Sequence, residues 1–322
     1  MSRVLLGLIS AVLVFVVSGC AGLAAGAQDA DGDRPKERVA REEPTPEPTK
    51  PPIRVADLLG TDGRLTVLIL GSDYREGVIG SRTDAIIVAT INPDTGRVVM
   101  VSLPRDTVNV PIGPGKVYPS RINSLFWDYE RETGKTKQAL KRVKRDMSYA
   151  FGAEIDYYAL VEFDGLVRLI NSIGGVDVVL KESLVDPGMH LGDKGLKLKA
   201  GERRLDGKMA LAFSRSRHTT TDYDRSRRQQ QVLAAAAAKV RKRGADQLPN
   251  LVDVARSKIV TDMPYRAAPA LLELAGSADL EKVKSIVLEP GRYARQVPGS
   301  YTIAPRIGEV QKLFDRVVKP VE

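Results

Sequence analysis

The densest set of side chains able to do chemistry lies between positions 215 and 231, which read Arg-Ser-Arg-His-Thr-Thr-Thr-Asp-Tyr-Asp-Arg-Ser-Arg-Arg-Gln-Gln-Gln. Guanidinium groups present paired N–H donors whose geometry matches the oxygens of phosphates and carboxylates. The stretch therefore predicts a binding site for a strongly anionic group. The alternative for such a run of charges is a solvated basic face.

The periodicity of the helix that follows separates these two interpretations. Asp222 and the threonines before it are typical of a loop and N-cap. At the helical period, Arg225, Arg228 and Gln229 share one face with the mostly apolar positions Val232, Ala235, Ala236 and Val240. A face that becomes apolar packs inward, and buried arginines need anions. We therefore predict that these three residues line the mouth of a pocket, whereas Arg227 lies on the solvated side.

Two carboxylates flank the first pair of predicted strands. Asp73 follows the apolar run Leu65–Leu70, and Asp84 opens the next run in Ser81-Arg82-Thr83-Asp84. If the two strands are neighbours, both carboxylates lie at one end of the sheet. With waters and substrate phosphate oxygens they would provide the oxygen ligands that Mg²⁺ prefers. The pair predicts an Mg²⁺ site, whereas each aspartate taken alone is more typical of a turn cap.

A second constellation is Ser102-Leu103-Pro104-Arg105-Asp106-Thr107 at the end of a predicted strand. We assign a phosphate to Arg105 and an orienting or base role to Asp106. The alternative is a local ion pair, which contributes under about 1 kcal/mol when exposed. A pyrophosphate would use several guanidinium groups at once, and the candidates are Arg82, Arg105, Arg121, Arg215, Arg217, Arg225 and Arg228.

The N-terminal segment predicts export. An apolar run, Val4–Val17, is shorter than the roughly 20 residues of a spanning helix but is typical of a signal core. Cys20 is the sole cysteine, and Val17-Ser18-Gly19 before it resembles a bacterial lipoprotein cleavage box. We expect residues 1–26 to be a lipoprotein signal lipidated at Cys20, with an uncleaved membrane anchor as the alternative. Either way the domain lies outside the cytoplasmic membrane, tethered to it.

The rest of the chain predicts a linker and one folded domain. Residues 27–54 are rich in proline and charge, a composition that favours an extended linker. The net charge of +9 favours an anionic partner, and export argues against nucleic acid. Between residues 64 and 320 we predict an α/β fold with a mixed central sheet flanked by helices. The predicted strands are 65–70, 85–91, 97–102, 155–161, 176–180, 196–199 and 283–289, and the predicted helices are 122–151 with a break near Gly134, 163–172, 205–213, the helix from Asp222, 247–259, 266–276 and 304–318.

These motifs, in this combination and order, resemble the LytR-CpsA-Psr family. The resemblance is carried by the motifs Leu70-Gly71-Ser72-Asp73, Ser81-Arg82-Thr83-Asp84 with Ala89–Pro93, Ser102–Thr107, Gly174-Gly175-Val176, Arg215-Ser216-Arg217 and Asp222–Gln229. It implies a membrane-anchored, extracytoplasmic, Mg²⁺-dependent transferase. Such enzymes move an anionic glycopolymer of the teichoic acid, capsule or arabinogalactan type from a polyprenyl pyrophosphate carrier onto peptidoglycan. It also implies that the lipid tail lies in an apolar tunnel.

The resemblance further implies roles for single residues. Asp73 and Asp84 match the metal ligands, and Arg105 with Asp106 matches the centre of the chemistry; Arg82, Arg105, Arg121, Arg215, Arg217, Arg225 and Gln229 match the pyrophosphate-binding positions. Asp224 departs from the glycine that is usual in the family. Two alternatives remain open: a hydrolase of polyprenyl-pyrophosphate lipids, and a non-enzymatic binder of anionic wall polymer.

Overall fold

The apolar, β-branched runs form the strands of a central mixed sheet. The computed structural model describes residues 51–73, 81–189, 195–243, 248–279 and 282–318. The strands are β1 Leu65–Ser72, β2 Thr83–Ile91, β3 Val98–Ser102, β4 Val110–Gly113, β5 Lys116–Tyr118, β6 Tyr157–Glu162, β7 Val176–Leu180, β8 Leu184–Asp186, β9 Leu196–Leu198, β10 Gly201–Leu205, β11 Ile259–Thr261, β12 Lys284–Val287, β13 Ala294–Gln296 and β14 Ile303–Pro305. Six of them form the central sheet in the order β11-β6-β1-β2-β3-β12.

Helices cover both faces of this sheet. They are α1 Leu125–Thr133, α2 Thr136–Phe151, α3 Phe163–Ser172, α4 Gly207–Arg215, α5 Asp222–Arg243, α6 Leu248–Lys258, α7 Ala268–Ser277 and α8 Ile307–Val318. Because side chains alternate along a strand, Val67 and Ile69 pack with α3 to α7 while Leu68 and Leu70 pack with α1, α2 and α8. The predicted α/β class with a mixed, helix-flanked sheet is confirmed.

The strand directions bring the candidate site residues to one edge of the sheet. β1 is antiparallel to β2 and β2 to β3, whereas β6 is parallel to β1 and β12 is parallel to β3. The carboxyl ends of β1, β3, β6 and β12 therefore share the edge at which β2 begins. In sheets of this kind, ligands bind beyond the carboxyl ends of the parallel strands.

Most predicted elements are confirmed, but the segment before α4 differs. The hairpin β2–β3 turns at residues 93–96, and the helical stretch 122–151 breaks at Gly134, which is left-handed with φ of 64°. The helix predicted from Leu205 begins at Gly207, because Gly201–Leu205 is a strand paired with β7. Four of those five residues are glycine or charged. This strand forms through its backbone ladder and carries no apolar alternation by which to predict it.

The packed part of the chain begins ahead of Arg64. A 3₁₀ turn, Val55–Leu58, precedes β1, and Leu58 is 1% exposed in the core. Residues 1–26 and Cys20, with their predicted signal and lipidation, lie outside the described residues, as does His190. None of the helices in the described ranges is long and apolar enough to cross a membrane.

Candidate active site

A cavity of about 460 Å³ opens at the carboxyl edge of the sheet, between the strands and helices α3 to α5. Its inner wall is apolar and is formed by Ile69, Ile87, Leu166, Leu211, Val232 and Leu233. Its other end is polar and is lined by Asp84, Arg215, Arg217, His218, Arg225 and Gln229. The cavity therefore joins a hydrocarbon-like wall to a cluster of guanidinium groups.

A β-bulge gives Asp84 its place at the polar end. Gly71 pairs with Ala85 and Ser72 pairs with Thr83, so Asp84 is the extra residue of β2. A bulge redirects side chains and is common beside active sites. A Cβ on Gly71 would lie only 2.9 Å from the Cβ of Ala85, so glycine allows the close approach of the two strands here.

Arg105 is the cation closest to Asp84. Its Nη1 donates to both carboxylate oxygens, at 2.9 and 3.1 Å, and its Nε lies 3.6 Å from Asp106 and 3.8 Å from Asp222. Burial lowers the pKa of Arg105, but the carboxylates of Asp84, Asp222 and Asp106 outweigh burial and raise it. The guanidinium is therefore a fixed positive charge among three carboxylates.

Arg225 reaches the same carboxylates from helix α5. It is 3% exposed, and its Nη2 lies 2.8 Å from Asp222 while its Nη1 lies 3.7 Å from Asp84. Its Nε has no hydrogen-bond partner in the described part of the chain. Burial lowers its pKa, and the carboxylates only partly offset this. The inward orientation predicted from the helix phase is present, and Gln229, one turn later, also lines the cavity.

Asp222 is a central residue of the cluster, a role that the sequence analysis missed. The cap of α5 is instead a reciprocal pair, in which the amide of Asp224 donates to Thr221 Oγ1 at 3.2 Å and the amide of Thr221 donates to Asp224 at 3.0 Å. The Asp222 carboxylate is thus free to contact Arg105, Arg217 and Arg225. The signal that could have revealed it is the Thr-x-x-Asp spacing of residues 221–224, which already supplies the cap.

Three further predicted residues surround this centre. Arg121, which is half exposed, lies 3.3 Å from Asp106, and Arg217 lies 3.9 Å from Asp222. The guanidinium carbon of Arg215 lies 4.3 Å from the centroid of the Phe163 ring at the cavity wall. Arg105, Asp106, Arg121, Arg217 and Arg225 therefore meet through shared carboxylates, and Arg215 stands at the same cavity.

Arg228 is buried but points elsewhere. Its Nε donates to the carbonyl of Phe213 at 3.0 Å, and its Nη2 donates to the carbonyl of Ser216 and to Thr220 Oγ1. These groups lie at the end of α4 and in the loop after it, so Arg228 ties that loop to α5. The predicted pyrophosphate contact of Arg228 is not supported by its position, since its guanidinium is bonded to main-chain carbonyls and not to the carboxylates that hold Arg105 and Arg225.

Asp73 directly follows β1, and Arg82 directly precedes β2. The carboxylate of Asp73 accepts the backbone amide of Arg82 at 2.6 Å, and the Arg82 side chain is exposed. Neither residue lines the cavity. Arg82 comes shortly before the bulged Asp84, and Asp73 lies at the same edge of the sheet because it follows β1.

The donor set fits Mg²⁺ only with help from a substrate. Among the described residues, no group of three or more histidine, cysteine, aspartate or glutamate side chains could hold a metal. Asp73 and Asp84 supply hard carboxylate oxygens at one sheet edge, and Mg²⁺ typically combines one or two carboxylates with waters and phosphate oxygens. The residues therefore suit a cation that arrives with, or is completed by, a phosphate ligand.

The fold and the site together define a class of protein: an α/β domain with an arginine–carboxylate site opening onto an apolar cavity. The family model of the LytR_cpsA_psr family matches residues 24–317. The chain belongs to this family.

Comparisons with individual proteins agree with the family. The chain is 32% identical over 155 residues to the polyisoprenyl-teichoic acid–peptidoglycan teichoic acid transferase TagU of Oceanobacillus iheyensis, covering 48% of this chain and 43% of that protein. It is 32% identical over 191 residues to the probable cell wall biosynthesis protein LcpB of Corynebacterium glutamicum, covering 54% of this chain and 41% of that protein. The matches thus span about two fifths of the length of these curated relatives.

A solved structure shows the same fold. The crystal structure of TagV of B. subtilis superposes with a TM-score of 0.62 at 22% identity, covering 80% of this chain and 97% of that one. At this level of identity the likeness concerns the fold alone.

Proposed function

We propose that this protein transfers an anionic glycopolymer from a polyprenyl-pyrophosphate carrier to peptidoglycan on the outer side of the cytoplasmic membrane. The observation that carries the proposal is the two-ended cavity, since a polyprenyl pyrophosphate has the same two-ended chemistry. Its hydrocarbon tail matches the wall of Ile69, Ile87, Leu166 and Leu233, and its phosphates match the arginine end. The relative named as a teichoic acid transferase supports the reaction class.

The arginine–carboxylate pairs explain how the site would accept pyrophosphate. Asp84, Asp106 and Asp222 hold the guanidinium groups in a converging arrangement. A pyrophosphate entering this cluster exchanges with the carboxylates as the partner of Arg105, Arg217 and Arg225. Guanidinium groups fixed in advance cost little reorganisation, which is the basis of electrostatic stabilisation in active sites.

The reaction moves negative charge toward these arginines. Attack by an acceptor hydroxyl breaks the bond to the carrier, and whether the attack falls on carbon or on phosphorus, the departing phosphate takes the electron pair. Arg105 and Arg225 would stabilise that charge. Asp106 would orient the hydroxyl and take its proton; its Oδ1 lies 3.3 Å from Arg121 but makes no hydrogen bond within the described residues. An Mg²⁺ ion held by Asp73, Asp84 and the phosphates would supply further charge neutralisation.

The anchoring of the domain is part of the same proposal. A carrier lipid that stays in the bilayer needs an enzyme held at the membrane surface. A lipidated Cys20 followed by a proline-rich segment of residues 27–54 would tether the domain there. Globomycin treatment and mass spectrometry of the mature N-terminus would separate a lipidated cysteine from an uncleaved anchor.

A transfer assay with a defined lipid-linked polymer and peptidoglycan tests the proposal. We expect the wild-type protein to release the carrier and join polymer to peptidoglycan, and chelation of Mg²⁺ to abolish both. Arg105→Ala and Asp84→Asn should reduce transfer by roughly 100-fold or more while far-ultraviolet circular dichroism stays unchanged. Carrier release into water without joined polymer would replace the transferase by a hydrolase, and binding without turnover would reduce it to a binder.

A further inference from the structure

The cavity of about 460 Å³ described above, in which we place the carrier lipid, is called the lipid cavity here. A second groove, of about 480 Å³, lies on the opposite side of helix α5. Residues 225, 229 and 232 share one side of the helix and line the lipid cavity. Arg227 and Gln230 project from the other side and line the second groove together with β12 and residues 289–293. One helix therefore separates two concave sites.

The second groove opens next to the segment that carries Arg105 and Asp106. β12 is parallel to β3, and the amide of Leu288 donates to the carbonyl of Ser102 at 3.0 Å, so the groove loop leaves the sheet beside the segment that carries Arg105 and Asp106. The groove therefore lies beside the segment from which Asp106 comes.

The chemistry of the groove differs from that of the lipid cavity. Arg227 donates to both oxygens of Glu289, at 2.7 and 2.6 Å, and both side chains remain about half exposed. The guanidinium of Arg292 lies 5.5 Å from the ring centroid of Tyr293. At the floor, the Gln230 amide nitrogen is bonded to Ser102 and Ile286, while its buried Oε1 has no hydrogen-bond partner among the described residues.

These groups suit a glycan more than a lipid. Planar, charged side chains hydrogen-bond adjacent hydroxyl, amide and carboxylate groups, and an aromatic ring with a polar tip packs against the apolar face of a sugar. A prenyl chain would displace water from the half-exposed Arg227–Glu289 pair and from Arg292 without offering them any polar contact. The groove therefore favours a hydrated, amide- and carboxylate-bearing polymer.

We propose that the groove formed by Arg227, Glu289, Arg292 and Tyr293 holds the acceptor: a peptidoglycan glycan strand of N-acetylated amino sugars. Its hydroxyl would approach Asp106 from one side of α5 while the carrier pyrophosphate occupies the other side. This assignment rests on the proposed transferase function. It adds the feature that distinguishes a transferase from a hydrolase, namely a built site for the second substrate.

Transfer kinetics with a soluble glycan-strand fragment as acceptor test the assignment. Arg292→Ala and Glu289→Gln should raise the KM for the fragment at least fivefold, with kcat at saturating acceptor within twofold. The Kd for polyprenyl pyrophosphate should not change. Arg295→Ala is the matched control, because it removes an exposed arginine three residues away that does not line the groove. An unchanged KM in both groove variants would overturn the assignment.

Direct binding separates this claim from the proposed function. Calorimetric titration of the fragment into the carrier-free protein should give saturable binding that Arg292→Ala weakens by the same factor as KM. If the wild-type protein binds the fragment through the groove but joins no polymer to it, the groove stands and the transferase fails. If the wild-type protein joins polymer while the groove variants bind and react normally, the transferase stands and the groove assignment fails.

Discussion

The first and second turns of helix α5 each bury an arginine, and the two arginines have different partners. Arg225 is 3% exposed and faces the carboxylates of Asp84 and Asp222 at the cavity. Arg228 is 9% exposed and donates to the carbonyls of Phe213 and Ser216. Burial lowers the pKa of both guanidinium groups. By burial and pKa alone, they would be assigned the same role.

The difference between the partners decides the role. A carboxylate can be exchanged for a phosphate without leaving the guanidinium unpaired, so the first turn is suited to binding. The main-chain carbonyls at the end of α4 cannot be replaced by a ligand. If Arg228 turned away from them, each would be a buried acceptor without a donor, which costs about 1–3 kcal/mol. The second turn is therefore structural. What a buried arginine touches, and not how deeply it is buried, indicates whether it serves a ligand.

Replacing Arg225 should give the largest effect on substrate. We expect Arg225→Gln to weaken binding of polyprenyl pyrophosphate by roughly 100-fold, because a charge-assisted contact to phosphate is lost in a buried site. Asp84 keeps Arg105 as its partner, so the unfolding midpoint should move little. Isothermal titration of the carrier into each purified protein measures this, and a Kd within threefold of the wild type would contradict the assignment.

Replacing Arg228 should affect the fold instead. Arg228→Gln should lower the free energy of unfolding by about 2 kcal/mol, because the carbonyls of Phe213 and Ser216 lose a donor. Carrier affinity of the folded protein should stay within threefold. Urea denaturation followed by circular dichroism gives the first quantity and titration the second. A stable Arg228→Gln protein with weak carrier binding would remove the distinction between the two turns.

The fold was readable from the sequence wherever one local pattern was enough. Apolar, β-branched runs predicted strands β2 and β3, and helix phase predicted that Arg225 faces the protein. The target of Arg228 was not readable, because its acceptors lie 12 and 15 residues earlier and meet it only when α4 packs against α5. The redirection of Asp84 was equally hidden, since a bulge depends on the register between two strands.

Asp222, the carboxylate partner of Arg225, should make carrier binding depend on pH. Burial raises its pKa, although Arg225 and Arg105 act against this. Between the unfolded and the folded pKa, the folded protein therefore keeps a proton on Asp222 that the unfolded chain has lost. The contribution of Asp222 to the free energy of unfolding is fully present at low pH and is lost as the pH rises through the folded pKa. A bound phosphate raises that pKa further, so carrier binding should take up a proton.

We therefore expect carrier affinity to rise as the pH is lowered toward the raised pKa of Asp222, by roughly fivefold more in the wild type than in Asp222→Asn. Both proteins are titrated with the same carrier preparation at several pH values. The ionisation of the carrier phosphates affects both proteins equally, so it cancels in the comparison. Identical pH profiles for the two proteins would show that Asp222 does not couple to the ligand.

The smallest effect should come from the cap of the same helix. Asp224→Gly introduces the residue usual in the family and removes the reciprocal bonds with Thr221, which should cost about 1 kcal/mol of stability. Thr221→Val should cost a similar amount, and the two changes should not add, because they break one motif. Carrier affinity should be unchanged in both; a loss of affinity would mean that the cap also positions Arg225.

The most direct test of the central claim is the lipid that the protein carries. Full-length protein would be purified from cells that make polyprenyl lipids, extracted with organic solvent and examined by mass spectrometry, beside its Arg225→Gln and Arg228→Gln variants. We predict polyprenyl phosphate or pyrophosphate with the wild type and with Arg228→Gln, and little with Arg225→Gln. Absence of such a lipid from the wild type, together with no uptake of added polyprenyl pyrophosphate and Mg²⁺, would contradict the carrier site.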